Sequence, residues 1–307
     1  MQASKIQVAK EVAEALAARK AVVALESTLI THGLPFPVNS ETALAMEAAV
    51  REGGAVPATI AVLGGMITVG VSAGDIRRLA QLPRDSVRKC SRKDLPIAVA
   101  LGEDASMTVA ATLHVAHLAG ISVIATGGIG GVHRGDSFDV SADLLELGHT
   151  PVATVCSGAK AILDLPRTVE VLETQGVAIL GFQTSTLPGF YSRSSGLPVD
   201  VTVQTPEEAA QIIATARRLG ARQGILVAVP VPEPDALPHE EVEKAVGTAL
   251  SEAAAREIRG KAVTPFLLER VAELSGGKSR TANVSLLINN ARTAGLIASA
   301  LVRIEGT

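Results

Sequence analysis

The stretch ISVIATGGIGGVHRGDSFDVSADLL, from Ile121 to Leu145, decides how the rest of the chain is interpreted. Its β-branched start predicts a short buried strand. Four glycines follow; such a loop lets the backbone approach a ligand closely, and its consecutive amides can hold an anion. Polar residues then crowd onto one turn: His133, Arg134, Asp136, Asp139, Ser141 and Asp143. This clustering predicts a phosphate and metal site where a strand ends. A glycine turn that only permits tight packing is the alternative.

Length and composition limit the class of protein. The chain has 307 residues, of which 47% are hydrophobic and 19% charged, and its net charge is −3. It is therefore long enough for one large α/β domain or for two smaller ones. The slightly acidic balance, without a block of Lys or Arg, argues against nucleic acid as a partner. Only 2% of the residues are aromatic, so a sugar ligand has to be held by charge and hydrogen bonds rather than by stacking.

The cysteines and the N-terminal region bear on localisation. Cys90 and Cys156 cannot form a disulfide framework, which fits an intracellular setting. The first stretch, Met1–Lys20, mixes charges with alanines and lacks the apolar core of a secretory signal. No run of about 18 apolar residues occurs, so a membrane span is not predicted. We therefore expect a cytoplasmic protein without a membrane partner.

Alternating apolar strands and helices predict the fold class. Strands are expected at Ala21–Leu25, Thr59–Leu63, Pro96–Leu101, Val152–Val155, Val177–Gly181 and Ile225–Val229. Helices are expected over residues 4–19, 40–52 (capped by Asn39 or Ser40), 75–81, 106–118, 168–174, 206–220, 239–258, 265–274 and 281–302. This alternation indicates an α/β protein, a three-layer α/β/α sandwich around a largely parallel or mixed central sheet. No linker is visible, so residues 1–307 are expected to form a single domain. The long polar segment Gln183–Asp200 is expected to act as a lid.

Two ionisable residues follow predicted strands, at the edge where open α/β sheets place ligands. Lys160 comes soon after an apolar strand, an environment that lowers the pKa of a lysine. An uncharged amine attacks carbonyl-like carbons and forms a Schiff base. Glu26 directly follows another strand and is a candidate general acid or base with a raised pKa. A lysine that snorkels from a helix start and a glutamate that caps a turn fit the same sequence equally well.

Two further polar groups complete this interpretation. Asp139 is a candidate ligand for a hard divalent cation, bound through oxygen. The basic cluster Lys89–Asp94, taken alone, is more typical of a solvated turn than of a site. Together, Glu26, Lys160 and Asp139 predict phosphosugar chemistry that proceeds through an imine.

Longer runs of the sequence carry a resemblance to a known family. They are VVALESTLITHGLPFP (22–37), GAVPATIAVLGG (54–65), KCSRKDLP (89–96), ATGGIGGVHRG (125–135), SFDVSADL (137–144), VCSGAKAILD (155–164), TPFLLERVAELSGG (264–277) and NVSLLINNA (283–291). Over nearly its full length the chain resembles the pseudouridine-5′-phosphate glycosidases, also called the indigoidine synthase A family. One departure is the stretch Glu103–Met107, where the family usually has Gly and Thr.

The resemblance implies reversible cleavage of the C–C glycosidic bond of pseudouridine 5′-phosphate, giving uracil and ribose 5-phosphate. The lysine matching Lys160 is the nucleophile that forms a Schiff base with the ring-opened sugar. The glutamate matching Glu26 is the proton donor, and the aspartate matching Asp139 is the position of one Mn²⁺ per subunit. The family forms homotrimers with an α/β/α fold. Substrate contacts are implied for the remaining matched positions: Lys89, Thr108, Val109, Thr126, His133, Ser141, Ala142, Asp143 and Asn283.

Two other functions fit the same residues. A Schiff-base aldolase would act on another phosphosugar and cleave a ketose phosphate without releasing uracil. A non-catalytic phosphosugar-binding module would bind its ligand without turnover. A comparison of substrates separates the first from the glycosidase, and a reducible covalent adduct would exclude the second.

Overall fold

The structure is a computed structural model that describes residues 5–135, 139–258 and 263–306, so Asp136 lies outside the described residues. The strands are short and mostly apolar: β1 Ile6–Val8, β2 Val22–Leu25, β3 Val56–Leu63, β4 Met66–Val69, β5 Arg88–Cys90, β6 Ala105–Met107, β7 Val123–Ala125, β8 Val132–His133, β9 Ala153–Cys156, β10 Leu163–Asp164, β11 Ala178–Phe182, β12 Val201–Val203 and β13 Ile225–Ala228. The helices alternate with them: α1 Lys10–Ala17, α2 Val38–Glu52, α3 Ala73–Gln81, α4 Leu95–Ala100, α5 Val109–Leu118, α6 Ala142–His149, α7 Leu165–Thr174, α8 Pro206–Arg218, α9 His239–Ala255, α10 Val263–Leu274 and α11 Lys278–Glu305.

A large mixed sheet of eleven strands runs through the described part of the chain. Its main body is parallel, in the order β3-β2-β7-β9-β13-β11-β12. Beyond β3 the sheet becomes mixed, because β4 and β6 both pair with β3 in antiparallel fashion. Strands β8 and β10 form a separate antiparallel ribbon. Because the parallel strands share one direction, the segments that follow β2, β7 and β9 meet at one edge of the sheet.

Helices cover both faces of this sheet. The long helix α11 packs on α2 and α8 and lies against β7 and β9, whereas α5 packs on β7 and on α6, which in turn contacts α7. Two glycines allow a close crossing of α2 and α11: a Cβ on Gly295 would lie 2.6 Å from the carbonyl oxygen of Val50, and one on Gly53 would lie 2.6 Å from that of Arg292. The predicted three-layer α/β/α sandwich is thus confirmed. No helix within the described ranges is both long and apolar enough to cross a bilayer.

In the N-terminal part of the chain two predicted helices differ from the structure, and one strand is present that the sequence did not predict. The predicted helix over residues 4–19 is divided, because Ile6–Val8 forms an edge strand paired with β4 before α1 begins. Strand β4 itself was not predicted; Gly64 and Gly65, both with left-handed backbone angles, turn the chain from β3 into it. Helix α2 begins at Val38, before either predicted cap.

The segment after the basic cluster also differs from the prediction. The run Pro96–Leu101, predicted as a strand, is instead helical: α4 covers Leu95–Ala100, and Leu101 is its C-cap. Ser91 and Asp94 form a capping box just upstream, and Pro96 lies at the start of the helix, where a missing N–H does not matter. The predicted helix 106–118 starts later, at Val109, because β6 precedes it. An apolar run of this length does not distinguish a buried strand from a short helix.

Candidate active site

A cavity of about 340 Å³ opens at the edge where β2, β7 and β9 end. All of the site residues implied by the resemblance line it except Thr126 and Asn283, whereas Arg134, from the polar turn predicted as a site, does not. The described lining is Glu26, Thr28, Lys89, Ser91, Thr108, Val109, Gly130, His133, Asp139, Ser141, Ala142, Asp143, Lys160, Ile162, Leu163 and Thr264. Glu26 and Lys160, which are 134 residues apart in the sequence, therefore share one cavity.

Glu26 directly follows the fully buried strand β2, and only 8% of the residue is exposed. Burial raises the pKa of its carboxyl group, and the negative charge of Asp143 acts in the same direction. The positive charges of Lys160 and Lys89 and a hydrogen bond from Thr126 oppose the shift without cancelling it. Thr126 Oγ1 donates that bond to Glu26 Oε1 over 2.6 Å. A carboxyl group that keeps its proton more readily than an exposed glutamate is suited to act as a general acid.

The Lys160 loop, which we define as residues 157–163 after β9, runs alongside the glycine-rich loop that follows β7. The amide of Ser157 donates to Gly127 O (2.9 Å), that of Ile129 to Gly158 O (3.0 Å) and that of Lys160 to Ile129 O (3.1 Å). The ribbon of β8 and β10 then continues the pairing. The backbone at Lys160 is therefore fixed along both directions of the chain.

The glycine-rich loop is held by a carboxylate. Asp143 Oδ2 accepts a hydrogen bond from the amide of Gly130 (2.8 Å), and Oδ1 accepts one from the amide of Ala110 at the start of α5 (2.9 Å). A Cβ on Gly130 would overlap the Ser141 hydroxyl group. Gly130 therefore both packs tightly against Ser141 and lines the cavity. The sequence offered a ligand-binding loop and a tightly packed turn as alternatives, and this glycine fits both.

Two helices begin at the cavity. Thr108 caps α5 by accepting a bond from the amide of Ala111 (3.5 Å), and Ser141 caps α6 by accepting one from the amide of Asp143 (3.2 Å). Lys89, on β5, lines the same wall. Helix N-termini and lysine both favour a bound anion. This wall is therefore suited to a phosphate group.

Asp139 lies at the exposed side of the cavity. Its side chain is 54% exposed, and its Oδ2 lies 3.9 Å from Nε2 of His133. Among the described residues no group of three or more His, Cys, Asp or Glu side chains is arranged to hold a metal ion. A single carboxylate that faces a cavity fits a hard cation such as Mn²⁺ that takes its other ligands from water and from substrate oxygens.

The comparisons with known proteins agree with this geometry. The family model described as "Indigoidine synthase A like protein" matches residues 11–300. This chain belongs to the indigoidine synthase A family. It is 53% identical over 295 residues to the pseudouridine-5′-phosphate glycosidase of Caldanaerobacter subterraneus subsp. tengcongensis, covering 95% of each chain. To the enzyme of that name from Escherichia coli it is 48% identical over 303 residues, covering 98% of this chain and 97% of the other.

Solved structures place it in the same family. The prealnumycin C-glycosynthase AlnA, in complex with ribulose 5-phosphate, superposes with a TM-score of 0.91 at 40% identity, covering 99% of each chain. An indigoidine synthase A-like protein from Thermotoga maritima superposes with a TM-score of 0.88 at 36% identity, covering 97% of each chain. The fold predicted from the resemblance is therefore confirmed.

Two of the site residues expected from the resemblance lie outside the cavity of this family member. Thr126 is completely buried behind Glu26 and acts on that carboxylate rather than on the cavity surface. Asn283, on α11, lines a separate cavity of about 80 Å³ together with His32, Arg84 and Arg280. A residue that lies in a sequence motif of the family therefore does not necessarily line the cavity.

Other residues that serve the site were not predicted. Ser91 and Thr264 line the cavity; Ser91 belongs to the basic cluster that, taken alone, favoured a solvated turn. Asn290, buried on α11, donates from Nδ2 to Thr126 O (2.9 Å), Gly127 O (3.3 Å) and Ser157 Oγ (3.1 Å). Its amide ties together the segments that leave β7 and β9. The only sequence signal was its place in the run NVSLLINNA.

The segment Gln183–Asp200 does not cover the cavity, contrary to the lid prediction. Leu187, Phe190 and Tyr191 are buried, and a Cβ on Gly128 would lie 2.7 Å from the Phe190 ring. None of the described lining of the cavity comes from this segment. Its apolar residues hold it against the glycine-rich loop, so it supports that loop from behind.

Proposed function

We propose that this chain is a pseudouridine-5′-phosphate glycosidase, which reversibly cleaves the C–C glycosidic bond of pseudouridine 5′-phosphate to uracil and ribose 5-phosphate. The observation that carries this proposal is that Glu26 and Lys160 line one cavity and interact electrostatically there. The curated relatives that carry this name match nearly the whole chain. AlnA, described as a C-glycosynthase in complex with ribulose 5-phosphate, supports a related bond type and a sugar phosphate ligand.

The chemistry explains why a lysine is needed. A C–C bond to uracil offers no heteroatom that could leave with the bonding electrons. In our mechanism the Lys160 amine bonds to the anomeric carbon, and the ring oxygen departs with a proton from Glu26. The resulting secondary ammonium loses a proton to the ionised Glu26 carboxylate, which restores the nitrogen lone pair. That lone pair then expels the uracil carbon, which takes up the proton from Glu26, and an iminium is left. Water hydrolyses the iminium and releases ribose 5-phosphate and the free lysine.

The phosphate group has a natural position in this arrangement. Lys89 and the N-termini of α5 and α6 face the same wall of the cavity. A lysine contributes a point charge and the helix ends contribute backbone N–H groups, and both favour a dianion. We therefore assign the substrate contacts of Lys89, Thr108, Val109, Ser141 and Ala142 to the sugar phosphate end of the substrate. His133 lines the cavity beside Asp139.

A divalent cation is part of the proposal. Asp139 would hold Mn²⁺ through its carboxylate, with His133 beside it, and the remaining ligands would be water and substrate oxygens. When bound, the ion neutralises negative charge on the substrate. Titration with Mn²⁺, followed by its effect on uracil release, tests this assignment, and Asp139→Asn is the variant expected to weaken the response.

Three properties complete the proposal. The continuous sheet from β1 to β12 supports a single domain over residues 1–307. A homotrimer and a cytoplasmic location are what the resemblance implies. Light scattering of the purified protein measures the first of these two, and cell fractionation measures the second.

The decisive experiment is an assay with pseudouridine 5′-phosphate and Mn²⁺, with free uracil as the product measured. Uridine 5′-phosphate, whose base is bound through nitrogen, is the matched control substrate. Borohydride reduction in the presence of ribose 5-phosphate should attach the sugar to Lys160, as located by peptide mass analysis. Cleavage of a ketose phosphate without uracil release would establish the aldolase instead. Binding without turnover or adduct would establish a binding module.

A further inference from the structure

Arg134 reaches across the Lys160 loop. Its Nε donates a hydrogen bond to the carbonyl oxygen of Leu163 (3.0 Å), and its Nη2 donates one to that of Ala161 (3.0 Å). Both carbonyls belong to the short segment that directly follows the lysine. One side chain therefore holds the backbone on the far side of Lys160 at two points.

The guanidinium group is itself anchored by a carboxylate on α9. Nη1 and Nη2 of Arg134 donate to Oε2 and Oε1 of Glu243, each over 2.8 Å. The Arg134 side chain is 25% exposed and that of Glu243 is 37% exposed. The bond from Arg134 lowers the pKa of Glu243, so the carboxylate stays ionised. We call this arrangement, Arg134 with Glu243 and the two carbonyls, the arginine clamp.

Arg134 directly follows strand β8, whose last residue reaches the cavity. His133 and Arg134 are consecutive, and His133 lines the cavity while Arg134 faces α9. Successive side chains of an extended chain point in opposite directions. A movement of β8 would therefore change the cavity wall and the Lys160 loop together, and the clamp opposes such a movement.

We propose that Arg134, anchored by Glu243, is a positioning residue that holds the Lys160 amine where it meets the anomeric carbon of the substrate. This inference rests on the proposed function, because a position for the amine matters only if the amine reacts. Neither side chain of the ion pair needs to touch the substrate. Their effect is on the geometry of attack, to which reaction rates are sensitive over distances of about 1 Å.

Lysine cannot replace arginine in the clamp. The guanidinium group uses four N–H bonds, one from Nε, one from Nη1 and two from Nη2. An ammonium group has three donors at a single point and cannot span two carbonyls and a carboxylate. Arg134→Lys thus keeps the positive charge but cannot form the four hydrogen bonds of the clamp at once. It is therefore the most informative variant.

The chain offers a matched control on the same helix. Glu252 of α9 accepts two bonds from Arg270, from Nε (2.7 Å) and from Nη2 (2.9 Å), and those side chains are 27% and 30% exposed. This pair lines no part of the described cavity and donates to no carbonyl of the Lys160 loop. Arg270→Lys and Glu252→Gln therefore repeat the chemical change without touching the clamp.

The experiment measures kcat and KM for pseudouridine 5′-phosphate, and the rate of borohydride trapping with ribose 5-phosphate, in Arg134→Lys, Glu243→Gln and the two controls. We expect Arg134→Lys to lower kcat and the trapping rate together by about 10- to 100-fold, with KM within about twofold. Glu243→Gln keeps an acceptor and should lower both by less. The controls should stay within about twofold of the unmodified protein. Amide hydrogen exchange of residues 157–163 should be faster in Arg134→Lys, and to a smaller degree in Glu243→Gln, than in the two controls.

The outcomes separate the two proposals. An unmodified protein that neither releases uracil nor traps the sugar contradicts the proposed function, and the positioning role falls with it. An active unmodified protein with an Arg134→Lys variant of equal kcat and trapping rate overturns the inference and leaves the function intact. A rise in KM without loss of kcat, or an equal loss in the controls, also overturns it. If Arg134→Lys fails to fold, Glu243→Gln decides by the same criteria.

Discussion

The two ends of the parallel sheet each carry a cavity of similar size. The one where β2, β7 and β9 end has a volume of about 340 Å³, and the one where β2 and β7 begin has a volume of about 360 Å³. The second lies between α1, α8 and α11 and is lined by Leu16, Arg19, Lys20, Ala21, Val22, Gly120, Ile121, Ser122, Val123, Arg217, Ala298, Leu301, Val302, Glu305 and Gly306. Volume alone does not distinguish the two.

The charges distinguish them. In the cavity where β2 and β7 begin, Arg217 forms an ion pair with Glu305 and donates a hydrogen bond to Ser122. The Arg217 and Glu305 side chains are 40% and 38% exposed. At the finishing end, Glu26 is buried beside Lys160 and its pKa is raised. A solvated ion pair has its interactions satisfied, whereas a buried carboxyl group near a lysine is held ready for proton transfer. The environment of the ionisable groups, rather than the cavity volume, therefore marks the candidate active site.

The largest effect should come from Lys160→Ala. Without the amine no covalent bond to the sugar forms, so kcat for uracil release should fall by at least about 10³-fold. Unfolding in urea, measured by circular dichroism, should show an intact fold. Turnover close to that of the unmodified protein would remove the imine from the mechanism.

Glu26→Gln should lower kcat by about 10²- to 10³-fold, because an amide of the same shape cannot give a proton to the ring oxygen. Trapping of ribose 5-phosphate at Lys160 by borohydride should remain detectable, since the open-chain aldehyde needs no ring opening. The contrast between lost uracil release and retained trapping is the measurement. A variant that loses both to the same degree would place Glu26 in binding instead.

Thr126→Val should produce a smaller change, visible in the pH profile. The hydroxyl group stabilises the ionised form of Glu26, so its removal should raise the pKa of Glu26 further. Activity that needs the protonated carboxyl falls as pH rises through that pKa. We therefore expect the alkaline limb of kcat/KM to move to higher pH in Thr126→Val and kcat to change only several-fold. If the alkaline limb of kcat/KM does not shift in Thr126→Val, a group other than Glu26 determines its pH.

The raised pKa of Glu26 should also make the free energy of unfolding depend on pH, with a smaller effect than on activity. The pKa of Glu26 is raised above its ordinary value of 4.5 in the folded chain, so the folded state binds the proton more tightly than the unfolded state. The free energy of unfolding should therefore decrease as pH rises from about 4.5 through the raised pKa. Glu26→Gln should flatten this dependence, as measured by urea midpoints at a series of pH values. Identical curves for the two proteins would contradict the shift.

The smallest effect is expected at the other end of the sheet. Arg217→Ala removes an exposed ion pair, so the free energy of unfolding should change by no more than about 1 kcal/mol and kcat should be unchanged. Steady-state kinetics and urea unfolding measure both. A loss of activity here would mean that the two cavities are coupled, and the distinction drawn above would fail.

Much of the fold and site follows from the sequence because local rules apply there. Strand β2 is apolar throughout and strand β9 is apolar except for Thr154. The ends of the two strands indicate where Glu26 and Lys160 lie. The prediction fails where tertiary structure decides: Ile6–Val8 becomes a strand only because β4 offers an edge. A short apolar run such as Pro96–Leu101 fits both a strand and a helix, and the capping box upstream decides.

Contacts between side chains that are far apart in the sequence also could not be predicted. Arg134 and Glu243 are 109 residues apart, and neither belongs to a pattern that names its partner. The hydrogen bond from Thr126 to Glu26, which are 100 residues apart, is another contact that no sequence pattern indicates. Periodicity and motif spacing report which face of an element is buried, but they do not report which polar groups meet across elements.

Asn290 has a consequence for the order in which this enzyme becomes active during synthesis. Its amide binds Ser157, which is made 133 residues earlier, and Thr126, which is made 164 residues earlier. A nascent chain can therefore complete its parallel strands while their exits still lack this common anchor. Helix α11 has to leave the ribosome before this anchor forms. The loop that carries the Lys160 amine is therefore fixed in its final position only when synthesis of the chain is nearly complete.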